Sequence, residues 1–154
     1  MRAERLDVVV ALIRDTAGRV LVSQRLPGRH MAGYWEFPGG KRAAGESRRE
    51  ALARELDEEL GIQPLAVAPF MRLEHDYPDT RVALDVWMVS DYAGEPRALE
   101  DQPLAWHAPA DLVHIELLPA DRPIVARLLG DAPARGPGGD DGPAQVSGGQ
   151  PGRR

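Results

Sequence analysis

Residues 40–62, GKRAAGESRREALARELDEELGI, constrain the fold of this chain more than any other segment. Ser47 and Glu50 have the spacing of a capping box, in which each side chain satisfies the other residue's backbone N–H at the start of a helix. Gly61 is typical of a helix C-terminus, because glycine adopts the left-handed conformation without strain. The segment therefore predicts a helix that begins after Ser47, runs to Leu60 and stops at Gly61.

The predicted helix carries two different stripes of side chains. Glu55, Glu58 and Glu59 lie at positions i, i+3 and i+4, so their carboxylates share one face. The other stripe is apolar, lies roughly 100° around the helix axis, and consists of Leu52, Leu56 and Leu60. Three neighbouring carboxylates repel one another unless a cation lies among them, and their hard oxygen atoms favour Mg²⁺ or Mn²⁺ over Zn²⁺. A solvated charged face is the alternative interpretation.

The rest of the chain predicts several strands and a second helix. Two apolar, β-branched runs at 6–13 and 19–25 are typical of buried strands joined by a turn. The segment WEFPGGK predicts a short strand that breaks at Pro38, Gly39 and Gly40. Further strands are predicted at about 64–76, at 81–92 and near the segment PLAWHA. Residues 119–129 predict a second helix, with Asp121 at or near its cap.

The length and the composition of the two ends predict one domain with a tail. The 154 residues are enough for about one domain with a proper core, which we place at residues 1–130. From Asp131 onward the chain consists of glycine, proline and polar residues, with Val146 as its one sizeable aliphatic residue. Residues 131–154 are therefore expected to be a disordered tail.

The composition excludes several kinds of protein. There is no cysteine, which excludes disulfides, thiolate nucleophiles and cysteine zinc sites, and we expect a reducing cytoplasm. The net charge of −5 makes duplex nucleic acid and anionic membranes unexpected partners. No apolar run approaches the roughly 18 residues of a membrane helix. We expect an acidic protein of this kind to need metal cations when it binds an anion.

Several residues outside the helix have simple structural interpretations. Trp87 and Trp106 are expected in the core or the sheet rather than as stacking platforms for a base. Asp85 interrupts a predicted strand and is interpreted as a solvent-facing side chain.

The helical segment also matches a longer pattern, Gly-x5-Glu-x7-Arg-Glu-aliphatic-x-Glu-Glu-x-Gly-aliphatic. The matching residues are Gly40, Glu46, Arg54, Glu55, Leu56, Glu58, Glu59, Gly61 and Ile62. At residue frequencies of roughly 5–10%, a chance match at one start has a probability below about 1 in 10⁷. This pattern is the Nudix box, so the chain resembles the Nudix hydrolases, which hydrolyse a nucleoside diphosphate linked to another group. The resemblance implies an α+β fold with a mixed β-sheet sandwiched between helices and a strand-loop-helix-loop box.

Segments outside the box resemble the MutT branch of that family. They follow one another in the same order: QRLPGRHMAGYWEFPGGK, YPDTR, YAGEP, EDQP and LLPADRPIV. The branch removes pyrophosphate from nucleoside triphosphates, so the resemblance implies an 8-oxo-dGTP diphosphatase that cleans the nucleotide pool. LLPADRP also resembles the CTP pyrophosphohydrolase branch, which leaves CTP, dCTP or a modified dCTP as alternative substrates. A non-catalytic binding module is a third interpretation, although such modules typically lose box glutamates and none is missing here.

The resemblance implies roles for the acidic residues and for one arginine. The implied Mg²⁺ ligands, with Mn²⁺ as an alternative ion, are the carbonyl of Gly39 and the carboxylates of Glu55, Glu58, Glu59 and Glu100. Glu55 is also implied as the general base for the attacking water. Arg54 would hold the carboxylates in place by charge-assisted hydrogen bonds. Glu46 would anchor the loop before the helix.

Residues outside the acidic set match positions that contact the nucleotide in the MutT branch. They are Arg25, Phe37 through its backbone, Asp79 and Asp121, and Lys41 is a further candidate for phosphate. Two positions depart from the branch, because Thr80 stands where an arginine is typical and Asp121 stands where an asparagine reads oxidised guanine. An asparagine can both accept from N7–H and donate to O6, whereas a carboxylate can only accept. Asp121 would therefore suit an amino group such as N4 of cytosine, or it would simply cap its helix.

Overall fold

The computed structural model describes residues 4–130, which contain seven strands, two α-helices and two short 3₁₀ helices. The described part of the chain divides into two compact units, one up to Ala120 and one from Asp121 onward. The predicted tail at 131–154 lies outside the described residues, and the domain boundary at residue 130 stays a prediction. No helix within 4–130 has both the length and the apolar character needed to cross a bilayer.

The elements of the first unit follow the predicted order. Its strands are β1 (Glu4–Ile13), β2 (Val20–Gln24), β3 (Trp35–Glu36), β4 (Gly39–Lys41), β5 (Gln63–Tyr77), β6 (Thr80–Ala93) and β7 (Leu104–His107). Helix α1 (Arg48–Leu60) lies between β4 and β5, and a 3₁₀ helix that the sequence did not predict follows β7 at Pro109–His114. The described part of the second unit is helix α2 (Arg122–Gly130), preceded by a 3₁₀ turn at Pro119–Asp121.

The strands of the first unit form two sheets. The four-stranded sheet has the order β4-β1-β6-β5, and it is mixed because β1 runs parallel to β6 but antiparallel to β4. Strands β5 and β6 form the long antiparallel hairpin that the sequence predicted on either side of the YPDT turn. The three-stranded sheet has the order β3-β2-β7 and is antiparallel. The predicted mixed sheet is therefore confirmed, with three strands in a separate sheet beside it.

The segment WEFPGGK forms two short strands in different sheets, so the prediction of one strand was wrong. Strand β3 pairs with β2, whereas β4 pairs with β1. Between them, the carbonyl of Pro38 accepts from the N–H of Ala11 at 2.8 Å. Gly39 has φ +152° and lies so close to the carbonyl of Val9 that a Cβ atom would overlap it. The predicted break is thus the point at which the chain crosses from one sheet to the other.

Helix α1 begins and ends as predicted. The Ser47 hydroxyl accepts from the N–H of Glu50 at 3.1 Å, and the Glu50 carboxylate accepts from the N–H of Ser47 at 2.8 Å. Gly61 ends the helix in the left-handed conformation at φ +70°. Its N–H donates to the carbonyl of Asp57 at 3.0 Å. These caps satisfy backbone groups that every helix end leaves without helical partners.

The apolar stripe of α1 packs into the core of the first unit. The core cluster consists of Ala11, Ile13, Leu21, Leu52, Leu56, Leu60, Ile62, Trp87 and Val89. Trp87 is 3% exposed and Trp106 packs partly buried against the same cluster, which confirms the prediction for both. Full burial of one leucine contributes about 1.5–3 kcal/mol. The leucine stripe therefore fixes the rotation of α1 about its axis, and with it the direction of the glutamate stripe.

An ion pair between Arg48 and Asp85 holds the start of α1 on the four-stranded sheet. Arg48 donates from Nε and Nη2 to the two carboxylate oxygens of Asp85, at 2.6 and 2.9 Å. Its guanidinium also lies 4.8 Å from the centroid of the Trp87 ring. Burial alone would raise the pKa of Asp85, but the hydrogen bonds from Arg48 hold that pKa below its ordinary value. The interpretation of Asp85 as solvent-facing was wrong, since only 16% of its side chain is exposed.

We expect Asp85→Asn to lower the free energy of unfolding by about 1–3 kcal/mol, because an amide leaves the Arg48 charge without its carboxylate. Equilibrium unfolding in urea measures this loss. Asp76→Asn is the matched control, since Asp76 pairs with Arg81 at the surface and 70% of its side chain is exposed. The free energy of unfolding of this control variant should fall by less than about 1 kcal/mol. Equal losses in the two variants would contradict the structural role of Asp85.

Candidate active site

The glutamates of α1 lie where this helix passes closest to β4. A Cβ atom on Gly40 would overlap the carboxylate of Glu55, so the strand and the side chain are in direct contact. The N–H of Gly39 is hydrogen-bonded to the carboxylate of Glu59. The Glu55 side chain is only 13% exposed, whereas that of Glu58 is 55% exposed. Glycine at position 40 therefore gives the Glu55 carboxylate room beside the backbone.

Arg54 connects the glutamates of α1 with the preceding loop. Its Nε and Nη2 donate to the two carboxylate oxygens of Glu46, at 2.5 and 3.0 Å. Its Nη1 donates to Glu55 at 3.0 Å and to Glu58 at 3.1 Å. Nη2 also donates to the carbonyl of Lys41 at 3.0 Å. One guanidinium thus offsets part of the repulsion among three carboxylates and ties them to the end of β4.

Glu46 is held on both sides within the loop between β4 and α1. Its carboxylate accepts from the N–H of Ala43 at 2.8 Å as well as from Arg54. These hydrogen bonds, those from Arg54 first, lower the pKa of Glu46 to about 2. The carbonyl of Glu46 accepts from Nε of Arg42 at 2.8 Å. Contacts of this kind support the predicted role of Glu46 as a loop anchor.

Glu59 lies in a region of concentrated negative charge. Burial, a hydrogen bond with Glu55, and the charges of Glu55 and Glu100 together raise the pKa of Glu59 well above its ordinary value. The hydrogen bond between the two carboxyl groups favours the protonated form of Glu59. The fold therefore brings Glu100 from a distant loop towards the glutamates of α1. We refer to Glu55, Glu58, Glu59 and Glu100 as the acidic cluster.

The acidic cluster has the donor atoms of a hard-cation site, but its side chains are turned to other partners. Within residues 4–130, no three aspartate, glutamate or histidine side chains already converge as the ligands of one ion. Glu55 and Glu58 are bound to Arg54, and Glu59 is bound to Glu55. Carboxylate oxygens are the ligands that Mg²⁺ and Mn²⁺ prefer. The residues present therefore fit such an ion chemically, and they would rotate to bind it.

The segment that carries Glu100 is fastened to the C-terminus of α1. The N–H of Arg97 donates to the carbonyl of Leu60 at 2.9 Å, and the N–H of Leu99 donates to the carbonyl of Glu59 at 3.2 Å. A helix leaves its last carbonyl groups without helical partners. Because the loop supplies those partners, its position is defined by the helix that carries the other carboxylates.

The residues predicted to contact the nucleotide lie on several elements. Arg25 donates from Nε to the carbonyl of His30 at 2.6 Å and from Nη1 to Glu36 at 2.9 Å. Phe37 is buried between β3 and β4, and Asp79 lies in the turn between β5 and β6. Lys41 is exposed at the end of β4. Asp121 belongs to the second unit, where it ends the 3₁₀ turn before α2 and is 5% exposed.

Glu36 is a half-buried charged residue that the sequence did not indicate as part of the site. Burial raises its pKa, although the charge of Arg25 and the hydrogen bond from it act in the opposite direction. The charge of Glu100 also raises the pKa of Glu36, so these two carboxylates lie near enough to interact. Its one sequence signal is a carboxylate between two large aromatic residues, and alternation along so short a strand cannot tell a buried acid from an exposed one.

Similarity to known proteins agrees with this geometry. Residues 9–127 match the NUDIX domain family. An 8-oxo-dGTP diphosphatase of Escherichia coli (strain K12) is 37% identical over 125 residues, which are 81% of this chain and 97% of that protein. A CTP pyrophosphohydrolase of the same organism is 37% identical over 127 residues, with coverages of 82% and 94%. A MutT NUDIX hydrolase from Burkholderia pseudomallei superposes with a TM-score of 0.74 at 28% identity, covering 81% of this chain and 98% of that one.

The chain belongs to the NUDIX domain family. The predicted α+β fold and the predicted Nudix hydrolase are therefore confirmed. Nudix hydrolases are generally dependent on divalent metal ions. The roles of the individual site residues stay predictions, which the contacts described above support.

Gly40→Ala tests the contact between β4 and the acidic cluster. The new Cβ would displace the Glu55 carboxylate, which is the far end of a flexible side chain, so the fold should hold. We expect kcat for pyrophosphate release from a nucleoside triphosphate to fall on the order of 10²-fold, as for other misplaced catalytic groups. Gly130→Ala is the control, because a Cβ there meets nothing within 4 Å. Similar kcat values for both variants would contradict a catalytic role for this contact.

Proposed function

We propose that this protein is a Mg²⁺-dependent pyrophosphohydrolase that converts 8-oxo-dGTP to the nucleoside monophosphate and pyrophosphate. The observation that carries the proposal is the acidic cluster, in which Arg54 donates to Glu55 and Glu58 and the charge of Glu100, from a distant loop, acts on Glu59. Two relatives at 37% identity are named for reactions of this class, an 8-oxo-dGTP diphosphatase and a CTP pyrophosphohydrolase. The predicted cytoplasmic location stays a prediction.

The acidic cluster would hold the metal ions of the reaction. The proposed ligands are the carboxylates of Glu55, Glu58, Glu59 and Glu100 and the carbonyl of Gly39. Bound divalent cations lower the pKa of coordinated water and neutralise charge on bridging phosphate oxygens. Arg54 would keep Glu55 and Glu58 on the same side of α1 during the reaction, because its guanidinium is also fixed by Glu46 and by the carbonyl of Lys41.

Glu55 is the proposed general base. Its carboxylate accepts from Arg54 at 3.0 Å and contacts the backbone of Gly40, and these two neighbours keep it within the acidic cluster when it turns towards the metal ions and the water. In the proposed reaction the water oxygen bonds to the β-phosphorus and its proton passes to Glu55. The bond from that phosphorus to the oxygen bridging the α-phosphate breaks, and the nucleoside monophosphate leaves with the bridging oxygen.

Arg25 is the proposed phosphate contact outside the acidic cluster. Its guanidinium is held by the carbonyl of His30 and by Glu36, and its side chain is 15% exposed. An arginine fixed in this way loses little conformational freedom when it binds an anion. Phe37 and Asp79, from the turn between β3 and β4 and from the β5–β6 turn, are the proposed nucleoside contacts.

A cytidine nucleotide is the second candidate substrate, and Asp121 is the residue that favours it. A carboxylate accepts from the amino group of cytosine, whereas it meets O6 of 8-oxoguanine with a lone pair. The similarity to a CTP pyrophosphohydrolase is as high as that to an 8-oxo-dGTP diphosphatase, at 37% identity in each case. CTP, dCTP and 5-methyl-dCTP therefore belong in the same substrate panel as 8-oxo-dGTP.

Glu55→Gln should nearly abolish turnover while the fold stays intact, because the charge and the basicity are lost but the shape is kept. We expect kcat to fall by on the order of 10²–10⁴-fold, the usual loss for a general base or metal ligand. The measurement is pyrophosphate release at saturating Mg²⁺. Asp57→Asn makes the same chemical change at an exposed position of α1 and should leave kcat unchanged. A decrease of less than about fivefold in Glu55→Gln would rule out the general-base assignment.

Asp121→Asn should shift preference towards 8-oxo-dGTP and away from cytidine nucleotides. The amide accepts from N7–H and donates to O6, which adds one hydrogen bond and removes one repulsion. Together these two changes should stabilise the transition state for 8-oxo-dGTP by roughly 1–3 kcal/mol, which corresponds to about 5- to 150-fold in relative kcat/KM. Asp111→Asn, at the start of the other 3₁₀ helix, is the control. An unchanged specificity profile for Asp121→Asn would mean that another residue reads the base.

A further inference from the structure

The side chain of Gln102 joins the two segments that carry the acidic cluster. Its Nε2 donates to the carbonyl of Glu59 at 3.2 Å, and its Oε1 accepts from the N–H of Glu100 at 2.9 Å. Gln102 is 7% exposed, which is unusual for a glutamine. One buried amide therefore spans the gap between helix α1 and the loop that follows β6.

An amide is the side chain that this position requires chemically. One partner is a carbonyl that needs a donor, and the other is an N–H that needs an acceptor. A carboxylate would place a lone pair against the carbonyl of Glu59, and an aliphatic side chain would satisfy neither group. Because Gln102 is buried, loss of its amide leaves the N–H of Glu100 without this acceptor, whereas the carbonyl of Glu59 keeps the N–H of Leu99 as a donor.

The backbone around Gln102 leads the chain sharply back to the helix. Asp101 has φ +63°, a left-handed conformation that aspartate tolerates better than most residues, and its N–H donates to the carbonyl of Ala98 at 3.1 Å. Leu99 is hydrogen-bonded to the carbonyl of Glu59, the same carbonyl that Gln102 contacts. Glu100 thus lies in a tight loop whose two sides converge on one carbonyl of α1.

We propose that Gln102 is a positioning residue that sets the place of Glu100 relative to Glu59 for divalent-cation binding. The inference rests on the proposed function, because it takes both glutamates as metal ligands. Gln102 itself contacts backbone atoms of the two ligand-bearing residues and acts only through them. Residues that orient metal ligands typically contribute about 10- to 100-fold to metal affinity.

Titration of the full chain with Mn²⁺ alone, followed by electron paramagnetic resonance of the free ion, tests the proposal without any substrate. We expect Gln102→Leu, which removes both hydrogen bonds at similar volume, to weaken Mn²⁺ binding by about 10- to 100-fold. Asp15→Asn is the stability control, because Asp15 holds the β1–β2 turn by accepting from Ala17 and Arg19, and the variant should keep wild-type Mn²⁺ affinity. In turnover assays, Gln102→Leu should need a higher Mg²⁺ concentration for half-maximal activity than the control variant. Its KM for the nucleotide should change little at saturating Mg²⁺.

A double-mutant cycle with Glu100→Gln separates positioning from simple destabilisation. If Gln102 acts through Glu100, then Gln102→Leu should weaken Mn²⁺ binding much less when Glu100 is already glutamine. Fully additive losses would overturn the proposal. If Glu100→Gln leaves Mn²⁺ affinity unchanged, both the proposal and the metal role of Glu100 fail. If Glu100→Gln weakens binding but Gln102→Leu does not, the positioning role alone fails.

Gln102→Asn keeps the test decisive if the leucine variant does not fold. The shorter amide stays polar but lacks one methylene group, so it can reach only one of its two backbone partners. We expect Mn²⁺ affinity to fall in this variant as well, with a native unfolding transition in urea. Wild-type Mn²⁺ affinity in a folded Gln102→Asn protein would overturn the proposal.

Discussion

The repulsion among the glutamates of α1 is the constraint on which the site depends. A single residue, Arg54, offsets much of it by donating to Glu46, Glu55 and Glu58. The same guanidinium binds the carbonyl of Lys41, so the electrostatic balance of the helix also fixes the end of β4. Charge compensation and loop geometry therefore depend on the same guanidinium, which binds two glutamates of α1, the loop residue Glu46 and the end of β4.

Packing of α1 against the core fixes the orientation of the helix, which the charges on its surface could not do alone. The leucines of α1 are buried in the core, and the ion pair of Arg48 with Asp85 fixes the start of the helix on the sheet. The end of the helix is fixed separately, because the loop at 97–102 caps its last carbonyl groups. Because α1 is held at both ends and along its apolar face, its charged face points in a defined direction. The carboxylates on that face therefore stay together although they repel one another.

Much of this arrangement could be predicted from the sequence because it is local. The caps at Ser47 and Gly61 and the two stripes of α1 follow from spacing within one helix, and the structure has them as predicted. The contacts of Asp85 with Arg48 and of Gln102 with Glu59 could not be predicted in this way, since the paired residues lie 37 and 43 positions apart in the chain. The division of WEFPGGK between two sheets was missed for the same reason, because strand pairing depends on distant segments.

The close passage of β4 beside α1 has a consequence for how such an enzyme can change over generations. At Gly40 no side chain fits without moving Glu55, so the proposed metal role of Glu55 would leave this position little freedom to vary. Asp121, the residue predicted to read the base, lies in a separate compact unit of the chain. With the proposed roles, a single substitution at Asp121 would change which nucleotide is preferred, while a lineage could inherit Gly40 and the glutamates of α1 unaltered.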